Sequence, residues 1–348
     1  MYYIKKFGSG CRIDENYKIS ELQAIFIENK FLSTVVVPDK GADIIKLIYK
    51  PLDIDFMWKS PLGFINPKKI IQTSSSSFGN FMDYYEGGWQ DIFPNGGPPG
   101  SYGGAEFGLH GEVSLLPWNY KIIEESYEKS SVKFWVKTIR YPFKLEKIIT
   151  IYHDKPLLRL DYKLINESPV RLPYLFGEHI AIGEPFLDNS CVINLEADAI
   201  RLWENEDAND KNLKPGSYHK WPFITTLSGD KVDVSRVPAP DSNTKKMLFI
   251  EKLFSPGYSI FNQNLGLSFN VRWDTKALPY IWYWLESGGT KSYPWFGRTY
   301  NIALEPFNTA YPGINKTIEK KRAYYLEQNQ KLEFYLEVSI NEIKNLNA

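Results

Sequence analysis

The chain has 348 residues, and its 41 Lys and Arg residues are balanced by 41 Asp and Glu residues. A formal net charge of zero provides no basic surplus of the kind that nucleic acids and anionic membranes attract. No stretch approaches the length of apolar sequence that a spanning helix needs, and the N-terminal residues lack the apolar core of a signal peptide. We therefore expect a cytoplasmic protein with neither a nucleic-acid nor a membrane partner.

Strand patterns follow one another along most of the chain. In chain order they are STVVVP (33–38), SVKFWVKTI (131–139), KLEKIITIYH (144–153), LLRLDYKLIN (157–166) and KLEFYLEVSI (331–340). Apolar and polar residues alternate in the longest of these segments, which predicts strands with one buried face. Turn residues separate such segments at intervals of roughly ten residues, a spacing typical of sandwiches and barrels.

Helix signals are few. The segment 39–50 fits either a turn of helix or a strand, and the segment 315–330 is too short and broken to predict a helix. The polar segments 72–80, 203–222 and 235–246 are loops or insertions that are too short to divide the chain. We therefore predict an all-β fold, a single large antiparallel β-sandwich domain that covers residues 1–348.

Two cysteines, Cys11 and Cys191, lie far apart in the chain. A chain of this length buries a large core without covalent staples, so a disulfide framework is not needed. We expect both residues to be free, buried thiols.

A segment rich in glycine and proline, residues 87–113, contains His110, one of only four histidines. Its GGPPGSYGG stretch is not followed by Lys-Ser or Lys-Thr, and its prolines remove backbone donors. We interpret it as a shaped loop that forms a wall of a polar groove, and not as a phosphate cradle. The run that follows, HGEVSLLPW (110–118), has the pattern of a strand.

Two further candidates stand in strand-like runs. In LFGEHIAIGEPFL (175–187), alternation places His179 on the face opposite Ile180, and in YNIALEPFNT (300–309) it places Glu305 on the face opposite Leu304. Each polar side chain thus leaves its strand on the side away from an apolar face. A core histidine and an edge carboxylate in water are the ordinary interpretations of such residues.

The remaining histidines, His153 and His219, lie in a turn-like segment and in a polar insertion, and we interpret both as turn or surface residues. The chain carries no His-Glu-x-x-His, no paired Cys-x-x-Cys and no calcium-loop motif. The motifs of the sequence therefore predict no metal site.

Aromatic residues make up 16% of the chain and are densest in YIWYWLESGGTKSYPWFG (280–297). Half-buried sheets favour aromatic residues and account for most of them. Dense aromatic clusters also cover the apolar faces of bound sugars. The density of this cluster, which includes Trp282, leaves the second interpretation open.

Five segments in order resemble the aldose 1-epimerase (galactose mutarotase-like) family: GGWQDIFPNGG, GLHGEVSLLPW, YHDKPLLRLDYKLINES, GEHIAIGEPFL and GRTYNIALEPFNT. The resemblance extends from about Phe31 to Ile340. It implies a galactose mutarotase-like supersandwich that binds a monosaccharide without metal or organic cofactor. It also implies an isomerase that interconverts the α and β anomers by acid/base ring opening and reclosure.

The resemblance assigns roles to individual residues. Glu305 corresponds to the catalytic base, His179 to the acid, and His110 to a second histidine that contacts the sugar ring or a neighbouring hydroxyl. A carboxylate and an imidazole suit these roles because both exchange protons near neutral pH.

Further positions are implied as substrate contacts. Asn95 resembles a loop residue near the sugar, and Arg272 and Asp274 are candidates for hydroxyl contacts. The best-known mutarotases carry an arginine near the first loop, and Gln90 or Asp91 takes that place here.

Alternatives remain open at this point. A sugar-phosphate or other modified-sugar epimerase would need a cationic pocket, for which Arg272, Lys291 and Arg298 are candidates. A non-catalytic carbohydrate-binding protein would keep the aromatic residues without requiring His179 and Glu305 to converge. A glycoside hydrolase would need a second carboxyl group about 5–10 Å from the first. Both a monomer and a homodimer are compatible with the sequence.

Overall fold

The computed structural model describes residues 10–69, 73–76 and 78–343. Within these residues the first twelve strands are β1 (Arg12–Ile19), β2 (Leu22–Glu28), β3 (Leu32–Val37), β4 (Asp43–Tyr49), β5 (Ile54–Asp55), β6 (Trp89–Ile92), β7 (Gly100–Tyr102), β8 (Ala105–Phe107), β9 (Asn119–Glu125), β10 (Lys129–Lys137), β11 (Phe143–Tyr152) and β12 (Leu157–Asn166). The domain predicted for residues 1–348 extends beyond the described part of the chain at both ends. The first nine residues, where a signal peptide would begin, also lie outside it.

Twelve more strands follow along the described chain: β13 (Leu172–Tyr174), β14 (Gly177–Ile182), β15 (Cys191–Leu202), β16 (Tyr218–Lys220), β17 (Phe223–Thr225), β18 (Lys231–Asp233), β19 (Thr244–Asn262), β20 (Leu267–Trp273), β21 (Tyr280–Ser287), β22 (Tyr300–Phe307), β23 (Tyr324–Leu326) and β24 (Lys331–Glu342). Two short helices, α1 (Gly79–Met82) and α2 (Ile314–Glu319), and 3₁₀ turns at Lys50–Leu52, Pro67–Lys69 and Glu206–Ala208 interrupt them. The predicted all-β class is confirmed.

The long strand β19 joins two layers of antiparallel sheet. One edge of β19 pairs with β15. On the other edge its C-terminal half pairs with β20 and its N-terminal half pairs with β21. Layer A consists of β20 and the strands that pair onward from it, in the order β24, β12, β11, β10 and β9. Layer B consists of β21 and the strands that pair onward from it, in the order β22, β14, β6, β4, β3, β2 and β1.

The main hydrophobic core fills the space between the two layers. Leu160 and Leu336 of layer A belong to one buried cluster with Ile44 and Leu304 of layer B. The alternating segments 157–166 and 331–340 form β12 and β24, whose even-numbered apolar residues are the ones that point into this core. The predicted sandwich is therefore confirmed, and its core follows from the period of two.

The structure shows which elements form in three segments for which the sequence predicted no definite helix or strand. The segment 39–50 contains the strand β4, which pairs with β3 and does not form a helix. The segment 315–330 begins within α2 and then forms β23. In the Ser-rich segment, residues 72 and 77 lie outside the described part of the chain, residues 73–76 have no regular structure, and α1 begins at Gly79. Cys11 and Cys191 are free and buried, as predicted.

The predicted strand at 110–118 does not form. His110 and the residues after it adopt turns, with only a single bridge between Gly111 and Phe93. His110 has a φ of +61° and Gly111 a φ of +77°, which are incompatible with an extended strand. A Cβ atom at Gly111 would lie 2.5 Å from the carbonyl oxygen of Phe93, so only glycine fits this close approach.

A charged pair crosses the apolar core between the layers. Lys147 of β11 donates to Asp91 of β6 at 2.6 Å, and both side chains are almost completely buried. The hydroxyl of Tyr162 donates to the same carboxylate at 2.9 Å. Because a buried charge without a partner is costly, this pair makes the two layers depend on each other.

We predict that Lys147→Met lowers the free energy of unfolding by about 3–5 kcal/mol, because it leaves the Asp91 carboxylate buried without its cation. Urea-induced unfolding measures this quantity. The matched control is Lys137→Met, which removes a solvent-exposed pair with Glu167 and should cost less than about 1 kcal/mol. Equal losses in the two variants would show that the buried pair does not stabilise the sandwich.

Candidate active site

Neighbouring strands of layer B carry the two strongest candidates on one face. Alternation turns Ile180 and Leu304 into the core between the layers, and turns His179 of β14 and Glu305 of β22 to the outer face of layer B. The antiparallel register that pairs Ala181 with Ala303 sets His179 opposite Glu305. The Nε2 atom of His179 lies 3.7 Å from the Oε1 atom of Glu305. The face predicted for each side chain is confirmed.

The imidazole of His179 is held from its other side by Tyr85. The Tyr85 hydroxyl lies 3.3 Å from the Nδ1 atom of His179, and both residues are buried. This contact leaves Nε2 to face Glu305. Tyr85 also contacts Phe81 in a stacked geometry, with the ring centroids 5.1 Å apart.

The glycine- and proline-rich segment brings a second imidazole to the same place. The ring of His110 lies 5.4 Å from that of His179 and 4.8 Å from that of Phe81. The backbone N–H of Gly97 donates to Nδ1 of His110 at 3.2 Å, so the proton of the neutral ring resides on Nε2. The left-handed turn at His110 therefore serves to aim this ring at the site.

These groups form the floor of a cavity of about 620 Å³. Glu305, His179 and His110 provide its polar floor. Rings from several elements form most of its wall, namely those of Phe78, Phe81, Tyr85, Trp203, Trp282, Trp284, Tyr293 and Trp295. Polar side chains line other parts of the cavity, among them Asn205, Asp207, Lys245, Glu286, Thr290 and Ser292. A largely aromatic pocket with a few convergent polar groups is the usual form of a small-molecule site.

Trp282 is the one predicted substrate contact that lines this cavity beside Glu305. The two residues are direct neighbours across β21 and β22. The indole N–H of Trp282 donates to the carbonyl of Thr309 at 2.6 Å, and its ring stacks on Phe307 with centroids 3.8 Å apart. The ring is thereby fixed in place before any ligand binds.

Burial sets the protonation of the floor. Burial raises the pKa of Glu305 well above its ordinary value, and it lowers the pKa of His179 to about 4. Burial, and then the neighbouring His179, lower the pKa of His110. Among the described residues no partner hydrogen-bonds Oε2 of Glu305. Burial therefore favours the uncharged form of both groups, a protonated Glu305 carboxyl beside a neutral His179 imidazole.

Two of the predicted contacts support the site without lining it. Asn95 donates from Nδ2 to the carbonyls of Pro98 and Gly108, and its Oδ1 accepts from the N–H of Ile314. It thus braces the loop that carries His110. Gln90 is paired with His179 in the sheet, but it is fully buried and donates to the Gly87 carbonyl at 2.5 Å.

Three predicted contacts lie elsewhere, and the structure corrects their placement. Asp91 follows Gln90 in β6, so alternation turns it to the core, where it pairs with Lys147. Arg272 is an exposed residue of β20, and Asp274 caps the turn after that strand by accepting from the N–H of Lys276. Layer A, which contains β20, does not reach the cavity.

The cations proposed for a sugar-phosphate pocket also lie outside the cavity. Lys291 contacts Asn243, and Arg298 lines a separate surface cavity with Lys59. Among the described residues, Lys245 is the cation that lines the candidate site.

The histidines interpreted as turn or surface residues are likewise distant from the candidate site. His153 contacts the ring of Tyr127, and His219 bonds to Ser217 and Thr225 within a polar insertion.

Several residues of the site escaped the sequence interpretation. Tyr85 and Phe81 come from a short segment that carries no motif, and Trp203 and Asn205 come from a segment interpreted as a polar insertion. The only signal for Tyr85 and Phe81 is the high aromatic content of the residues just before the glycine-rich loop, and Trp203 and Asn205 carry none. Loop residues of this kind are positioned by tertiary contacts that no local pattern encodes.

The described residues contain no group of three or more His, Cys, Asp or Glu side chains arranged to hold a metal ion. None of the helices in that part of the chain has the length and apolar character required of a membrane-spanning helix.

Comparison with known proteins gives a family and a fold. The model of the family described as "Domain of unknown function (DUF4432)" matches residues 20–340. No curated protein matches the sequence significantly.

Three solved structures illustrate the fold. A candidate aldose 1-epimerase from Klebsiella pneumoniae is 16% identical, with a TM-score of 0.74 over 95% of this chain and 83% of that one. A galactose mutarotase-like protein from Clostridium acetobutylicum is 13% identical, with a TM-score of 0.67 over 96% and 100% of the two chains. A candidate mutarotase from Salmonella typhimurium is 11% identical, with a TM-score of 0.64 over 97% and 96%.

At these identities the likeness establishes the fold, and it confirms the resemblance seen in the sequence at that level. The chain belongs to the DUF4432 family and has the galactose mutarotase-like fold.

Proposed function

We propose that this protein is an aldose 1-epimerase that interconverts the α and β anomers of a reducing sugar. One observation carries the proposal: an imidazole and a carboxyl group from opposite positions of adjacent strands lie 3.7 Å apart at the floor of an aromatic cavity.

The reaction needs one base and one acid, and it consumes neither. The base removes the proton from the C1 hydroxyl, the C1–O1 bond becomes a carbonyl, and the bond between C1 and the ring oxygen breaks. The electron pair of that bond goes to the ring oxygen, which receives a proton from the acid. Rotation about C1–C2 and the reverse steps then give the other anomer. A positioned acid or base contributes about 10²–10⁴-fold to the rate of such steps.

We assign Glu305 as the base and His179 as the acid. Burial favours a protonated Glu305 and a neutral His179 in the sugar-free site, so the assignment requires a proton to move from Glu305 to His179 when the sugar binds. Sugar hydroxyls that donate hydrogen bonds to Glu305 favour its carboxylate form and so favour this transfer. His110, whose Nε2 carries a proton, is placed to donate to the ring oxygen or a neighbouring hydroxyl.

The rest of the cavity suits a sugar ring. The aromatic wall offers apolar surface to the C–H faces of the ring, and polar side chains such as Ser292 and Lys245 can meet hydroxyl groups. Closely packed aromatic rings also exclude water from the floor, which strengthens the electrostatic interactions made there.

The alternatives are less well supported. A phosphate-bearing substrate loses support because Arg272, Lys291 and Arg298 do not line the cavity. A binding protein does not require the close approach of His179 and Glu305. A glycoside hydrolase needs a second carboxyl group that is available to the substrate. Of the two other carboxyl groups that line the cavity, Asp207 is exposed to solvent and Glu286 is engaged: one of its oxygens accepts from the Thr290 hydroxyl at 2.5 Å and the other from the Thr290 N–H at 3.1 Å.

We predict that Glu305→Gln and His179→Asn each lower the rate of catalysed anomer exchange by about 10²-fold or more, because each removes one of the two proton-transfer groups. Exchange NMR or polarimetry on freshly dissolved α-glucose and α-galactose measures the rate. The matched control is His153→Asn, which should retain the rate of the unaltered protein. Unchanged rates in Glu305→Gln would remove this carboxyl group from the mechanism, and equal losses in the two histidine variants would contradict the role of His179.

We further predict a bell-shaped dependence of kcat/KM on pH. Below about 4, His179 and Glu305 are both protonated and no base is available, so kcat/KM rises as pH increases through that value. Where Glu305 loses its proton, above the ordinary carboxyl range, no acid remains and kcat/KM falls. Circular dichroism over the same range separates titration from unfolding. An acid limb near 6.5, the ordinary value for histidine, would contradict the buried neutral imidazole.

A further inference from the structure

A second cavity of about 370 Å³ adjoins the candidate active site. The two cavities share five lining residues: Pro98, Pro99, Trp203, Asn205 and Pro312. The same five residues therefore border both cavities, so a ligand bound over His179 and Glu305 lies beside the second cavity. The first cavity alone already falls in the range of about 300–1,000 Å³ that accommodates ligands larger than one sugar ring.

The floor of the second cavity is rigidly built. The guanidinium group of Arg201 is only 3% exposed and lies between the rings of Phe249 and Tyr311, 4.6 and 4.5 Å from their centroids. It also donates to the carbonyl of Ala310. The neighbouring carbonyl of Thr309 accepts from Trp282 of the active site, so one short segment supports both cavities.

The charges of the second cavity point to a neutral ligand. Arg201 has a carboxylate partner in Glu251 at 3.4 Å. Lys316 lies 3.5 Å from Glu204 and 3.4 Å from Glu319. Because each cation is matched by carboxylates, the cavity has no surplus of positive charge for a phosphate or sulfate group. The half-buried rings of Trp203 and Tyr311 instead offer apolar surface beside these polar groups.

We propose that the second cavity is a subsite for a neutral glycosyl unit, and that the preferred substrate is a disaccharide or longer saccharide with a free reducing end. The reducing ring lies at His179 and Glu305, and the next ring lies against Trp203 and Tyr311. This inference rests on the proposed anomer exchange, and it names the substrate class of the same site.

The test compares each reducing disaccharide with the monosaccharide that forms its reducing end. Exchange NMR gives kcat/KM for glucose against maltose, cellobiose and lactose. We expect at least one disaccharide to exceed glucose by roughly tenfold, which corresponds to about 1.4 kcal/mol. A higher value for glucose 6-phosphate than for every disaccharide would overturn the assignment of a neutral unit.

Two variants address the subsite directly. Tyr311→Ala removes its ring, and Lys316→Trp fills the cavity from its partly exposed side, where a change is tolerated by the fold. Each should lower the ratio of disaccharide to glucose kcat/KM by roughly tenfold. The control is Trp135→Ala, which removes a half-buried ring from a separate surface cavity on layer A and should leave both rates as they are.

The outcomes separate this inference from the proposed function. If glucose is the better substrate and the two variants change both rates equally, the subsite is wrong and anomer exchange stands. If no sugar is anomerised, the proposed function fails, and the subsite is then tested by binding alone. NMR titration of methyl β-glucoside and methyl β-cellobioside would give equal affinities if the second cavity binds no sugar.

Discussion

A β-strand has only two faces, and the site of this protein depends on that constraint. In β14 and β22, Ile180 and Leu304 point into the core. The residues next to them in each strand must therefore point to the outer side of layer B. Because the strands are antiparallel neighbours in a fixed register, His179 and Glu305 then stand opposite each other. A slip of one residue would turn either side chain into the core. The packing that stabilises the sandwich is thus the same packing that assembles the pair.

Burial has two different effects on the charge states of the titratable groups in and beside the site. Beside the site, the buried Lys40 lies 2.8 Å from Asp43 and 2.7 Å from Glu86, and these two carboxyl groups hold the pKa of Lys40 above its ordinary value despite its burial. His179 and Glu305 have no such third partner among the described residues, and burial drives both toward their neutral forms. The first arrangement retains the charge of Lys40, whereas the second favours two uncharged groups. This contrast is what distinguishes the floor of the cavity from the structural ion pairs around it.

Loops between the strands provide the remaining residues of the site. The glycine- and proline-rich segment holds His110 in a left-handed turn, and Asn95 ties that segment to its own carbonyls and to the start of α2. Segments that connect the strands provide Tyr85 and Trp203. Trp203 stands where the two cavities meet, so a connecting segment shapes the space that a larger ligand would occupy. Rigid strands thus place His179 and Glu305, and loops define the volume around them.

The sequence by itself determined the all-β class, the buried face of the main strands, and the faces on which His179 and Glu305 lie, because these depend on a period of two that is written locally. It also singled out the aromatic segment that contains Trp282. Only the tertiary structure decided that Asp91 belongs to a core ion pair, that Arg272 and Asp274 lie away from the cavity, and that Tyr85 contacts His179. Those outcomes depend on strand register and on loop contacts between residues distant in the chain. A local sequence pattern specifies neither the register nor these contacts.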